Sequence, residues 1–257
     1  MSGFSADWLA LRGGFDRAAR SRSLATAFLA AVPAPRSTIV APAGTGANAT
    51  WLRELDADRH RWRLVDADPA LLAGSPLADV ERVTLDLAQE LEPALAAVAG
   101  VTASALLDLV SAAWLERLAD ALAARRLPAL FALSYDGRMR WTPPHHDDER
   151  TRLDFHVDMR RAKGFGPALG PRAAGAAADT FAERRARLSR AASDWRIARS
   201  DDAMLAAMID GIARPAATAA PEDAGRIAAW AERRHAQRRA GALALEIGHE
   251  DLYASFA

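Results

Sequence analysis

The feature that most constrains this chain is a series of short, nearly continuous apolar segments separated by helical stretches. Segments 38–41, 62–65, 80–85, 103–109 and 127–133 have strand length. The second ends at Asp66, the third at Asp86, and the fourth carries Asp108 and Leu109. Between them, 47–55 and 112–125 have helical periodicity, with Trp114, Leu115, Leu118 and Leu122 on one face. Buried strands alternating with helices belong to a parallel sheet covered on both faces. Right-handed crossovers then make that sheet open and doubly wound.

The flanks follow other rhythms. Residues 5–32 read as helical, interrupted at Gly13-Gly14 and ended by Pro33 and Pro35. Residues 135–150 are polar, aromatic and broken by proline, the composition of a loop. A helix is expected over 151–162, then a glycine- and proline-rich connector over 163–171. A late strand follows at 187–198, then helices at 201–213 and 221–240, and a final strand at 242–248. The 257 residues thus divide into an N-terminal helical segment, 1–35, and an α/β domain, 36–257, whose insert 135–183 follows the fifth strand and is expected to cover the crevice as a substrate lid.

Composition excludes several functions. The net charge is zero and no basic, aromatic-rich appendage is present, so a small-molecule partner is expected and nucleic acid is not. Without cysteine there is no disulfide, thiolate metal site or cysteine nucleophile. The N-terminus lacks the clean apolar stretch of a signal peptide, and no uncharged run reaches the roughly 18 residues of a membrane span. A cytoplasmic protein is expected. Adjacent side chains such as His145-His146-Asp147-Asp148 rarely converge on one ion, so no metal is expected. Arg184-Arg185, Arg233-Arg234 and Arg238-Arg239 read as solvated helix faces.

The turn after the first strand reads Ala43-Gly44-Thr45-Gly46-Ala47-Asn48. Glycines there let the backbone approach a ligand, and the following helix offers free N–H groups. Alone, the motif is equally a tight strand-to-helix turn. Asp66, about 20 residues on, can accept hydrogen bonds from a ribose diol. Each aspartate taken singly is also a good helix cap or turn former. Their arrival at successive strand ends is what favours a ligand crevice.

In these residues the chain resembles the Rossmann-like S-adenosylmethionine-dependent methyltransferases, most closely over 36–134. The resemblance implies a mainly parallel seven-stranded sheet with an antiparallel last strand, and S-adenosylmethionine as cofactor. It implies that Ala43, Gly44, Thr45, Gly46 and Asn48 pass the methionine part, Asp66 holds the ribose, and Asp86 and Leu87 face the adenine. Asp108 and Leu109 would line the methyl-transfer side. Tyr135-Asp136-Gly137-Arg138, the segment 163–171 and Ser193-Asp194-Trp195 are similar to a bacterial subgroup of unassigned substrate. The family's loop carries an acid near the end of strand one, and Val40 and Pro42 stand where that acid and the first glycine would be. Weakened cofactor binding is expected, and Val40→Asp with Pro42→Gly should restore it.

Methyl transfer needs an aligned nucleophile and sometimes a base. Tyr135, Asp136 and His156 are the catalytic candidates; Arg138, Lys163 (the lone lysine), Phe165 and Trp195 are the acceptor-binding ones. Each also has a plain structural reading as edge plug, turn, packing residue or corner. Two other functions remain open: a degenerate fold serving as a non-catalytic binding or partner subunit, and a nicotinamide-dependent oxidoreductase. The latter is disfavoured because Ala49 replaces the third glycine of G-x-G-x-x-G.

Overall fold

The computed structural model describes residues 6–35, 37–42, 44–56, 59–162 and 164–256. Two helices lead, α1 (Ala6–Ala19) and α2 (Arg22–Ala31). There follow β1 (Thr38–Pro42), α3 (Ala47–Asp56), β2 (Arg61–Asp66), α4 (Pro69–Ala73), β3 (Glu81–Thr84), α5 (Leu91–Ala94), β4 (Gly100–Ser104), α6 (Ala112–Arg125) and β5 (Ala129–Thr142). The remainder is α7 (Asp148–Met159), α8 (Ala173–Glu183), β6 (Arg187–Ala192), β7 (Trp195–Ile197), α9 (Asp202–Ala219), α10 (Ala224–Arg239) and β8 (Ala244–Ser255).

One sheet runs β3-β2-β1-β4-β5-β8-β6, with β7 also paired to β8. Strands β1 to β5 are parallel, and β8 is antiparallel to β5, β6 and β7. Period-two alternation sorts β1: Ile39 and Ala41 pack with Phe28, Trp51 and Leu52 of α2 and α3. Val40 faces the other layer, with Val65, Val101, Leu115 and Phe131. Sequence order reverses between β1 and β4, and at such a switch point the carboxyl ends of the strands open a crevice.

Several elements depart from the sequence expectation. Helix α1 runs through Gly13 and Gly14, where an added Cβ would meet nothing within 4 Å. The two glycines cost about 1 kcal/mol each, which the buried face of α1 offsets. The break falls instead at Ser21, which caps α2 by accepting from Leu24 N–H at 3.3 Å. β4 covers 100–104, not 103–109: the chain turns at Ala105, with φ +50°. Leu107 and Val110 are buried within that turn, so the apolar run recorded packing, and Asp108 stands four residues past the strand. The strand expected at 187–198 is split by Ser193 and Asp194 into β6 and β7, giving eight strands. Arg234, read as solvated, is 0 % exposed; it donates to Pro143 O and Asp148 and stands 5.2 Å over Trp141.

The largest departure concerns 135–142. These residues continue β5 along β8, which itself extends to Ser255. Trp141 packs inward while Arg138 and Arg140 face solvent, so the segment behaves as a half-buried strand. β5 is kinked where its register on β8 shifts, between Phe131 and Ser134 and again between Tyr135 and Met139. At the first kink Leu133 adopts φ +56°, and its N–H donates to Asp251 Oδ1 at 2.8 Å. Asp251 Oδ2 accepts Ser21 N–H at 2.7 Å. Burial pushes this carboxyl up from its ordinary range, against the opposing pull of its hydrogen bonds.

Asp251→Ala should therefore strand two buried N–H groups and leave the Leu133 kink unsupported. A loss of about 3 kcal/mol is expected in urea unfolding, with a smaller loss for Asp251→Asn, which keeps one acceptor. Wild-type stability for the alanine variant would contradict this role.

Candidate functional site

The turn after β1 is built on strand-end geometry. Gly44 N–H donates to Asp66 Oδ2 at 2.9 Å, and Asp68 N–H donates to Asp66 Oδ1 at 2.9 Å. A carboxylate offers about four lone-pair sites, so Asp66 retains capacity for a diol. Gly46 has φ +81°, and a Cβ there would lie 2.8 Å from Ser75 Oγ, so this glycine is required by packing as well as by the turn. Thr45 is half-buried beside it, and Ala43 lies outside the described residues. Asn48 turns inward and donates to Thr102 Oγ1 on β4 at 2.9 Å, a bond that fixes α3 to the sheet.

Asp86 and Leu87 follow β3. Asp86 Oδ1 accepts Ala88 N–H at 3.0 Å, and Leu87 O accepts Trp114 Nε1–H at 2.7 Å. Asp108 and Leu109 lie half-buried in the turn after β4, where Asp108 O accepts Gly170 N–H at 3.0 Å. Leu169 N–H donates to Val110 O at 2.8 Å, and Phe165 packs edge-on against Trp114 with ring centroids 5.2 Å apart. The connector after α7 is thereby docked on the crevice wall. Lys163 lies outside the described residues.

These groups fit the nucleoside end of S-adenosylmethionine, with a half-used carboxylate at the end of β2 and an acid after β3. They do not supply the acid for its ammonium. Val40 is 1 % exposed within an apolar cluster, so Val40→Asp would bury an unpaired carboxylate and is no simple repair, contrary to the sequence expectation.

A second feature is a cleft of about 550 Å³ on the β5–β8 extension. Asp136, Arg138, Arg152, His156, Pro171 and Glu246 line it. Pro171 follows Gly170, which is bonded to Asp108, so the cleft and the turn after β4 share a wall. Gly248 makes the surface possible, since a Cβ there would collide with Asp136 and Arg138. Asp136 is committed to Arg138, accepting from its N–H and Nε–H at 2.8 Å each. Arg138 also donates to Asp194 Oδ1 at 2.9 Å, and these two carboxylates raise its pKa.

Tyr135 and His156 meet behind this surface, with Oη and Nε2 2.8 Å apart. His156 is held down to about 4 by burial, then by Arg152 and Arg160. Arg152 Nη1 approaches His156 Nδ1 at 3.3 Å and donates to Gly137 O at 2.8 Å. A guanidinium only donates, so Nδ1 accepts and the proton of the neutral ring sits on Nε2. His156 therefore donates to Tyr135, whose own proton is left to donate onward. Burial raises the tyrosine pKa, so Tyr135 is a neutral donor. This pair orients; it does not present a free base.

Trp195 is not at this surface. It is 4 % exposed and packs with Trp8, Phe15 and His249. It pairs with Ile247, whereas the cleft is lined by Glu246 and Gly248, which alternate to the opposite face of β8. Sequence reasoning missed Arg152, Pro171, Glu246 and Gly248. The i, i+4 spacing of Arg152 and His156 on one helix was the available signal. His145, His146 and Asp147 do converge, with one ligand atom from each within 4.8 Å of the others, contrary to the argument from adjacency. The group sits at the N-terminal end of α7, with Arg226 3.8 Å from Asp147, surroundings that disfavour a cation.

No family model and no curated protein matches the sequence. Solved structures do. A cyclopropane-fatty-acyl-phospholipid synthase-like protein from Lactobacillus casei superposes with a TM-score of 0.55 at 13 % identity, over 99 % of this chain and 95 % of that one. A putative type II methyltransferase from Anaeromyxobacter dehalogenans gives 0.52 at 16 % identity, over 92 % and 96 %. The fold is that of the Rossmann-like methyltransferases. In this methyltransferase fold the antiparallel strand beside β5 is β8, as the resemblance implied for the last strand. Among the described residues, no helix is long and apolar enough to cross a membrane.

The tautomer is testable. Nitrogen-resolved NMR should find His156 neutral with its proton on Nε2 down to about pH 5, titrating near 4. His249, depressed to about 3 by burial and then by Arg12, should behave alike. Both folded pKa values lie below the unfolded value of about 6.5, so their contribution to stability is complete above that pH and lost as pH falls through 4 and 3. Titration of His156 near 6.5 would refute the donor chain.

Proposed function

We propose that this chain transfers a methyl group from S-adenosylmethionine to a small-molecule acceptor bound beside Tyr135. The observation that carries the reading is Asp66: a carboxylate at the end of β2, bonded to the glycine turn and keeping free lone pairs, in a sheet of this strand order. In the crevice Asp66 would hold the ribose hydroxyls, Asp86 the adenine amino group and Leu87 the ring, with Asp108 and Leu109 on the methyl-transfer side. When bound, the cofactor supplies an electrophilic methyl group for in-line displacement.

The chain's remaining residues position the acceptor. Tyr135, held by His156 and Arg152, would orient an acceptor oxygen or nitrogen by one hydrogen bond and leave it a lone pair for attack, any proton that atom then loses passing to solvent through the open cleft. Arg138 and Asp136, locked together, shape the polar wall of the cleft. The docked connector, with Phe165 on Trp114, shields the turn after β4 from water, which limits hydrolysis of the methyl donor.

Calorimetry with S-adenosylmethionine, S-adenosylhomocysteine and NAD tests this reading. The two adenosyl ligands should bind and NAD should not. Asp66→Ala should weaken adenosyl binding by about 1.5–3 kcal/mol, the value of a charge-assisted hydrogen-bond pair. A wild-type protein that binds neither adenosyl ligand would instead be a non-catalytic partner subunit, the reading that the apolar surroundings of Val40 would then support.

A further inference from the structure

The inner face of α1 carries charged groups that the nucleoside contacts do not use. Arg12, Asp16 and Arg20 recur every four residues and are 8 %, 6 % and 6 % exposed. Arg12 Nε and Nη2 donate to Asp16 at 3.1–3.2 Å, while Arg20 Nη2 stays 3.7 Å from Asp16 Oδ2, beyond hydrogen-bond reach. Arg12 stands 4.9 Å over Trp195 of β7. Arg20 stands 5.6 Å over Trp51, and its Nη2 donates to Ser104 Oγ, at the carboxyl end of β4, at 3.0 Å. Earlier on the same helix, Leu9 is the neighbour that a Cβ on Gly44 would meet, at 3.7 Å. Helix α1 therefore crosses from the glycine turn of β1 to the end of β4, over the switch point of the sheet.

Arg20 is under-used in this position. A guanidinium has five N–H donors, and among the described residues this one makes a single side-chain hydrogen bond, to Ser104. Its Nε is sealed from solvent with no acceptor among the described residues. Burial lowers its pKa, the expected sign of an incompletely compensated charge. As a helix anchor alone it is a poor choice, since an apolar side chain of similar volume packs at no desolvation cost. Asp16 likewise keeps acceptor capacity on the side facing Arg20. A donor-rich cation and a carboxylate thus stand side by side above the carboxyl end of β4, the strand paired with β1.

We propose that Arg20 and Asp16 of α1 form the subsite for the zwitterionic amino-acid end of S-adenosylmethionine, Arg20 taking the carboxylate and Asp16 the ammonium. The proposal rests on the cofactor reading above and deepens it. Binding would give Arg20 Nε the acceptor it lacks, and it makes α1 part of the cofactor site.

The test uses the full chain and calorimetry with three ligands: S-adenosylhomocysteine, its decarboxylated analogue, and 5′-methylthioadenosine, which keeps the nucleoside and thioether but has no amino-acid group. Wild type should bind S-adenosylhomocysteine at least ~10-fold more tightly than either of the others, the value of one charge-assisted hydrogen bond or more. Arg20→Gln should remove most of that preference while leaving 5′-methylthioadenosine within about twofold, and Arg20→Lys should retain part of it. Asp66→Ala should weaken all three ligands alike. Equal wild-type affinity for the three ligands, which needs no variant, would overturn the subsite and leave the cofactor reading standing. So would an Arg20→Gln protein that melts like wild type and keeps the full preference. A wild type that binds none of the three would overturn both.

Discussion

Much of the site depends on one carboxylate. Asp251 lies at 1 % exposure in β8 and holds two backbone groups at once: the N–H of Leu133, at the kink in β5, and the N–H of Ser21, where the chain enters α2. The first bond sustains a left-handed conformation that a leucine does not adopt unaided. Beyond the kink, β5 carries Asp136 and Arg138 along β8 to the wall of the cleft. The second bond fixes the joint between α1 and α2, and with it the path of Arg12, Asp16 and Arg20 across the crevice. A single buried carboxyl group thus ties the joint between α1 and α2 to the strand that lines the cleft.

The central sheet was legible because its strands obey simple rules. Segments 38–41 and 62–65 are mostly apolar and rich in β-branched or aromatic residues, and buried parallel strands need little more. What misled was chemistry with two readings. Asp136-Gly137 is a strong turn pair, and Pro143-Pro144 follows closely, so 135–142 read as loop although Asp136, Arg138 and Arg140 alternate with Tyr135, Met139 and Trp141 at strand period. The run 103–109 read as strand because a buried turn can be as apolar as a strand. Gly13 and Gly14 read as a break because propensity is local, whereas α1 is held by tertiary contacts.

The site was legible in kind more than in detail. Asp66, Asp86 and Asp108 could be read as strand-end acids, yet sequence does not say that Asp66 holds Gly44 or that Asn48 faces inward. Trp195 was associated with the acceptor through the resemblance of Ser193-Asp194-Trp195; in the structure it packs inward, and only Asp194 reaches Arg138. Nothing in the sequence singled out Arg12, Asp16 and Arg20. Their significance lies in burial, which the amphipathic pattern of an arginine-rich chain does not reveal. The arginines of the cleft are all matched by carboxylates: Arg138 by Asp136 and Asp194, Arg140 by Glu246, and Arg152 by Glu149. The cleft is therefore polar without being a simple anion trap.

The proposed cofactor crevice lies at the carboxyl ends of β1 to β4, between the glycine turn and the inner face of α1. Amide chemical-shift mapping during titration with S-adenosylhomocysteine tests it most directly. The account predicts the largest shifts at Gly44 and Gly46, at the amides beside Asp66 and Asp86, and at Arg20 and Ser21, with the β5–β8 cleft changing little. Shifts concentrated at Arg138, Arg152 and Gly248, with the glycine turn silent at saturation, would contradict it.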